Sequence, residues 1–239
     1  MDPGLYIVGT PIGNLGDITF RAVETLKAAD VILAEDTRHT RKLLARYDIH
    51  APMLSCHRFN EAARAEKALE ALRAGRAVAL VTDSGMPGIS DPGARVVAAC
   101  RAAGFPVTAA PGPTAVATAV ALSGMGGRGY HFEGFLPHKS GARKRRLGEL
   151  AAEEQPVVLF ESPYRLLKLM TEIEEVMGPR RVFLGRELTK QFEECIEGTP
   201  ADVRAAFAGR TVKGEQVVVI APAERRARPA MIDTAQGGC

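Results

Sequence analysis

Short apolar runs alternate with amphipathic stretches along most of the chain. Leu5-Tyr-Ile-Val8, Val31-Ile-Leu-Ala34 and Ala77-Val-Ala-Leu-Val81 are too short for helices and apolar throughout, as expected of strands buried on both faces. Between the last two, Asn60 is placed to cap a helix whose Ala65, Ala68, Leu69 and Leu72 share one face, and Gly75 suits its stop. This rhythm predicts a mostly parallel sheet with helices on its faces. Asp91-Pro92 and Gly112-Pro113 each read as the start of a further helix, the second running through Ala121.

The glycine-rich stretch Gly124-Met-Gly-Gly-Arg-Gly129 marks a passage into a second half. There the pattern predicts strands at 131–135, 157–160, 182–185 and 216–221, with helices near 142–150, after Pro163 and near 202–207. The expectation is an α/β protein of two α/β domains, 1–123 and 124–222, followed by a basic, disordered tail at 223–239.

Composition adds little to this picture but removes alternatives. No apolar run approaches the length of a membrane span, and a strand begins by Leu5, leaving no room for a signal peptide. The four cysteines are far apart, which fits reduced thiols in the cytoplasm, and the five histidines show no metal-ligand spacing. A net charge of +3 imposes no global field. Arg143, Lys144, Arg145 and Arg146 form one basic run, and Arg225, Arg226 and Arg228 another. Such runs are ordinarily solvated helix faces or tails, and gain meaning only beside a polyanionic substrate.

Candidate chemistry lies in three loops rich in glycine and proline: Gly9-Thr-Pro-Ile-Gly-Asn-Leu-Gly16, the segment 83–93, and Pro111-Gly-Pro-Thr-Ala115. In open α/β sheets ligands bind at the carboxyl ends of strands, where these loops fall. Glycine admits close backbone approach, proline fixes loop shape, and helix N-termini favour an anionic group such as a carboxylate. The first loop is no phosphate cradle: it lacks the Walker spacing, and Pro11 stands where a dinucleotide fingerprint needs its middle glycine. Charged residues also gather at strand ends: Glu35, Asp36, Arg38 and Asp83, then Glu161, Arg165, Arg186, Glu187 and Lys190.

Taken in order, these segments resemble the tetrapyrrole-methylase-like class of S-adenosylmethionine (SAM) methyltransferases. Within it they look most like the bacterial enzymes that methylate the ribose 2′-oxygen of a cytidine in the decoding region of 16S rRNA. The matching pieces are Gly9 to Asp17, Ala34-Glu-Asp-Thr-Arg38, Asp83 to Gly93, Pro111 to Ala115 and Gly134-Phe-Leu-Pro137. Phe160-Glu-Ser-Pro163 with Arg165, Gly185-Arg-Glu-Leu-Thr-Lys190 and Lys213-Gly-Glu215 follow. One departure is Asp83-Ser-Gly-Met-Pro87 where the class carries Asp-Ala-Gly-Thr-Pro, so Met86 replaces a hydroxyl. The short tail also replaces the basic helical segment that many members carry.

The resemblance implies SAM in a cleft between the domains. Ile12, Gly85, Met86, Ile89, Thr114 and Ala115 would lie on one side, with Phe135, Phe160, Lys213, Gly214 and Glu215 closing from the other. It implies no metal, 16S rRNA within the small subunit as partner, and a homodimer. By residue type and loop position, Glu35, Asp36 or a Lys190 of lowered pKa would take the hydroxyl proton. Arg38 and Arg186 would hold flanking phosphates, and Glu187 completes this charged set. Two other readings stay open: the same fold acting on a small tetrapyrrole or a peptide, and a non-catalytic RNA-binding assembly protein.

Overall fold

The structure, a computed structural model, describes residues 1–223; all of the expected tail but Ala223, with its arginines at 225, 226 and 228, lies outside the described residues. Strands β1 (Gly4–Val8), β2 (Val31–Ala34), β3 (Met53–Ser55), β4 (Ala77–Val81) and β5 (Val107–Ala110) form one sheet in the order β3-β2-β4-β1-β5. All its pairings are parallel. Helices α1 (Phe20–Ala28) and α2 (Thr37–Arg46) cover one face, and α3 (Glu61–Arg73) and α4 (Ala94–Ala102) the other. The apolar run of β4 explains itself: Val78 and Leu80 join the α3/α4 core, Ala79 and Val81 the α1/α2 core, and all five residues are buried.

The second sheet contains β6 (His131–Phe135), β7 (Val157–Glu161), β8 (Val182–Arg186), β9 (Glu194–Gly198) and β10 (Gln216–Ile220), in the order β6-β7-β10-β8-β9. It is mixed: β6 and β7 are parallel, while β10 runs antiparallel to both β7 and β8, and β9 antiparallel to β8. Helices α6 (Ser140–Leu150), α7 (Leu166–Met177) and α8 (Pro200–Ala206) cover one face. The other face receives α5 (Ala115–Ser123), whose Val116, Ala119 and Val120 pack with Val158, Phe183, Val217 and Val219. The helix that precedes the glycine-rich passage thus lies on the sheet that follows it. Its N-terminus is thereby held at the seam between the two sheets, with Ile12 of the first loop buried in the same cluster.

Two helix starts differ from expectation. After Asp91-Pro92 the chain stays non-helical through Gly93 (φ 134°), and the Glu61 carboxylate of α3 accepts from the N–H groups of Gly93 (2.9 Å) and Arg95 (2.7 Å). A side chain from a neighbouring helix supplies the cap that Asp91 was expected to give. The cap of α5 is Thr114 rather than Gly112, its hydroxyl accepting from Ala117 N–H at 3.1 Å.

The basic run on α6 is largely structural. Arg143 is 1% exposed, forks onto Glu172, and donates through Nη1 to the carbonyls of Pro137 (3.1 Å) and His138 (3.0 Å). Burial alone would raise the Glu172 carboxyl, but Arg143 and the Ser140 hydroxyl hold it below its ordinary value. Lys144 pairs with Glu175 at 2.5 Å, and Arg146 with Glu133 (2.7 Å) and Glu149 (2.6 Å). A four-residue RNA grip is therefore not what this run presents.

Candidate functional site

The carboxyl ends of β1, β4 and β5 bring the three glycine-rich loops together. Thr10 and Gly85 exchange backbone hydrogen bonds (2.9 and 3.1 Å), and the Thr10 hydroxyl donates to the Thr82 carbonyl at 3.1 Å. Gly9 and Gly112 touch backbone to backbone: a Cβ on Gly9 would stand 2.7 Å from Gly112 Cα and equally close to the Met86 sulfur. Met86 therefore fills the junction between the first and second loops. Gly85 holds φ at +83°, a conformation unfavourable to any side-chain-bearing residue.

Between these loops and the second sheet lies a cleft of about 360 Å³. Ile12, Gly85, Met86, Ile89, Thr114, Ala115, Phe135, Phe160, Gly214 and Glu215 all line it, as expected. Lys213 does not; it borders a separate cavity beside Arg186 and Phe192. Phe160 meets Phe132 and Phe135 at 5.1 and 5.6 Å between centroids, giving the cleft an aromatic wall. Ser84, Ser90 and Asp91 of the 83–93 loop, Val116, and Glu161 to Pro163 after Phe160 line it as well. Ser90 sits at φ 64°, so the tip of this loop is held in a left-handed conformation that costs a serine energy.

Buried Glu161 and Gln216 also border the cleft. Strand alternation sets their side chains with Leu159 and Val218, on the sheet face opposite Phe160 and Val217. Glu161 Oε1 holds Arg165 (2.6 Å), so this strand-end pair braces the wall from behind.

The charged set divides. Ile12, Ser84 and Glu215 are shared with a second cavity of about 400 Å³, whose other walls include Pro11, His39, Lys42, Asp83 and Lys190. Glu35 stands behind it, accepting from the Thr82 hydroxyl (2.6 Å) and the Asp83 N–H (3.4 Å) through one oxygen. Asp36 caps α2, accepting from Arg38 N–H at 2.8 Å, and its carboxylate pairs with the exposed Arg38 guanidinium at 2.8 Å. Those hydrogen bonds hold its pKa well below the usual carboxylate range, which makes it a poor proton acceptor. Lys190 lies between Glu187 (3.0 Å) and Glu215 (2.8 Å). Burial works against its charge, but the two carboxylates prevail and raise its pKa, so the lowered value on which a base role depends is absent. Arg186 turns away from both cavities, pairing with Glu194 at 2.9 Å and donating to the Lys213 carbonyl at 3.3 Å.

Two residues of the second loop carry the opposite signature. Burial, with the charge of Glu35 adding to it, raises Asp83 against the pull of its bond from Asp36 N–H. Asp91 is pushed up to about 6, by burial first and then by Glu35, Asp83 and Glu215. Neither forms an ion pair among the described residues.

A family model described as Tetrapyrrole (Corrin/Porphyrin) Methylases matches residues 4–204. The chain belongs to this family.

Curated relatives of the methylase carry the name Ribosomal RNA small subunit methyltransferase I. The one from Thermotoga maritima is 46% identical over 220 residues, covering 92% of this chain and 99% of its own. The one from Synechocystis is 47% identical over 226 residues, covering 94% and 81%. Solved structures more distant in sequence share the fold. The methyltransferase CobJ aligns with a TM-score of 0.70 at 21% identity, covering 95% of the methylase and 97% of that chain. A Thermus thermophilus uroporphyrin-III C-methyltransferase, solved in complex with S-adenyl homocysteine, aligns with a TM-score of 0.64 at 17% identity, covering 90% and 96%. Among the described residues of the methylase, no helix is long and apolar enough to cross a membrane.

Proposed function

We propose that this chain transfers the methyl group of SAM to the ribose 2′-hydroxyl of a cytidine in small-subunit ribosomal RNA. The observation that carries this reading is that the apolar cleft between the sheets opens, through Ile12, Ser84 and Glu215, directly into a polar cavity holding Asp83, Lys42 and Lys190. One compartment suits a cofactor and the adjoining one a charged acceptor. The name borne by relatives at 46–47% identity supports ribosomal RNA as that acceptor.

The residues of the cleft fit SAM. The N–H groups of Ala115 and Val116, in the first turn of α5, have no intrahelical acceptor and suit its carboxylate. Ile12, Met86, Phe135, Phe160 and Val217 suit its apolar and aromatic parts. The bare backbone of Gly85 leaves room beside Ile12, which a Cβ would enter at 3.6 Å. Asp91 and Glu215 offer negative charge to a cationic ligand. When bound, SAM supplies a methyl group already activated on a sulfonium, so no further electrophile is required.

What remains for the chain is alignment and removal of one proton. Asp83, raised by burial and sited in the polar cavity next to Ser84, is the best-placed acceptor of that proton, with Glu35 holding its backbone N–H from behind. Lys190, kept charged by its two carboxylates, and Lys42 suit phosphate positions. The finer elements belong to the same proposal: the decoding-region site, action on the assembled subunit, and a homodimer. Comparing naked RNA with subunits as substrate, and sedimentation equilibrium, test the last two.

The direct test is transfer of labelled methyl to small subunits lacking the modification, with the acceptor mapped. The expected product nucleotide resists alkaline cleavage of its 3′ linkage, which needs a free 2′-hydroxyl. Label on a base overturns the acceptor chemistry. Calorimetry should show SAM binding without metal, and Ala115→Phe should abolish it in a folded protein; no binding by the wild type overturns the cofactor assignment.

A further inference from the structure

Past Ser90 and Asp91 the cleft adjoins a third cavity, of about 600 Å³, whose far wall is the turn that follows β3. That turn is fixed from several directions. Cys56 N–H donates to the Ala34 carbonyl (2.7 Å), the Asn60 side chain accepts from His57 N–H (2.8 Å) and donates to the Ser55 carbonyl (3.1 Å), and Arg64 Nε donates to the same carbonyl (2.6 Å). On this rigid support Phe59 is left 83% exposed, with the Arg58 guanidinium 4.7 Å above its ring. A large ring held in water on a fixed turn gives up the stabilisation that burial would bring. An exposed ring beside a guanidinium is also what unpaired bases stack upon.

The walls of this cavity narrow the choice of base. Glu35 and Asp91 present carboxylates to it, and Glu35 commits only Oε2 to its neighbours Thr82 and Asp83. The buried Nδ1 of His57, which also borders the cavity, has no hydrogen-bond partner among the described residues. Carboxylate oxygens accept hydrogen bonds, and Glu35 Oε1 is uncommitted, so these walls favour an edge carrying an exocyclic amino group; among pyrimidines that is cytosine and not uracil.

We propose that this cavity receives the cytosine of the acceptor nucleotide, stacked on Phe59 with its amino group toward Glu35 and Asp91, so that its ribose stands at the cofactor cleft. The inference rests on the ribosomal-RNA reading above. It assigns Phe59 a substrate-binding role and makes base identity, rather than ribose alone, a condition of transfer.

The test uses the full chain, unmodified small subunits, and subunits reconstituted with uridine at the mapped acceptor. Loss of one base stack is expected to raise KM for subunits by about 5- to 150-fold in Phe59→Ala, while Phe59→Tyr, which keeps the ring, stays near wild type. SAM affinity by calorimetry is expected to be unchanged in both. Uridine at the acceptor is expected to lower kcat/KM by a similar factor of about 5 to 150. A wild-type KM in Phe59→Ala, equal impairment of the Ala and Tyr variants, or equal use of uridine and cytidine each overturns the base pocket alone. A wild type that binds SAM but methylates no small-subunit RNA overturns the RNA reading, and this inference with it.

Discussion

On α6, Arg143 forks onto buried Glu172, Lys144 pairs with Glu175, and Arg146 joins two glutamates. At the carboxyl edge of the first sheet, Asp83 and Asp91 are partly buried, have raised pKa values and face other carboxylates. Both regions are dense in charge, yet one has neutralised it internally and the other has left it open. In sequence the α6 run is the more conspicuous of the two; in space it is a brace between helices. Density of charge therefore says less about function than whether each charge already has its counter-charge within the fold.

The sharpest way to break this contrast is to neutralise the open charges. Asp83→Asn and Glu35→Gln are expected to slow methyl transfer, by about 10²- to 10⁴-fold where a proton acceptor is lost, with SAM affinity retained in calorimetry. Asp36→Asn is expected to keep turnover within a few-fold, because Asp36 is already engaged as the cap of α2 and by Arg38, and asparagine caps as well. Equal losses in all three variants would erase the distinction between paired and open carboxylates.

Next in size is the brace. Arg143→Ala leaves Glu172 buried without its partner and is expected to cost about 3–5 kcal/mol in urea unfolding. Arg145→Ala, at an exposed position with no ion pair among the described residues, is expected to stay within about 0.5 kcal/mol. If any residue of the run contacts RNA, Arg145 is the one whose loss should flatten the salt dependence of subunit binding. Comparable destabilisation by both variants would remove the structural reading of Arg143.

The smallest expected effect is on stability against pH. The folded Asp91 carboxyl, at about 6, holds its proton more tightly than in the unfolded chain. Its favourable contribution is complete below the unfolded value, roughly pH 4, and is lost as pH rises through about 6. Asp91→Asn is therefore expected to raise Tm modestly at pH 7 and to leave it unchanged at pH 4. A pH-independent difference would mean that the carboxyl is not held against its neighbours.

The strands legible in the sequence were those covered on both faces or flanked by strong turns, such as β1, β2, β4 and β10. Three went unmarked: β3, β5 and β9, and all are edge strands. An edge strand is half-covered, so its apolar signal weakens; β9 reads Glu-Cys-Ile-Glu-Gly with alternate residues exposed. Helix α2 was missed for a related reason, since only Thr40, Leu43 and Leu44 of its Thr-Arg-His-Thr-Arg-Lys-Leu-Leu-Ala-Arg are buried. At the site, glycine and proline marked the loops that line the cleft. The partners of each charge were not legible, because Lys190 with Glu215, or Arg143 with Glu172, are joined only by the fold. Asp83 and Asp91 stand in a loop already singled out; what sets them apart is burial, which a local pattern does not report.

Gly13 has a meaning beyond its place in the first loop. The Thr189 hydroxyl accepts from Asn14 N–H at 3.1 Å across the seam, and a Cβ on Gly13 would stand 2.4 Å from Lys190 Cγ and 2.9 Å from the Leu188 carbonyl. At this point the first loop meets the Leu188 to Lys190 turn with no side chain of its own. A methyl group added there would act as a mechanical wedge, propping open the compartments on either side of Ile12 while removing no group from either. The spacing of the halves, and with it the distance across which a methyl group must travel, is set by an absence: one missing carbon in the loop whose Ile12 lines both compartments.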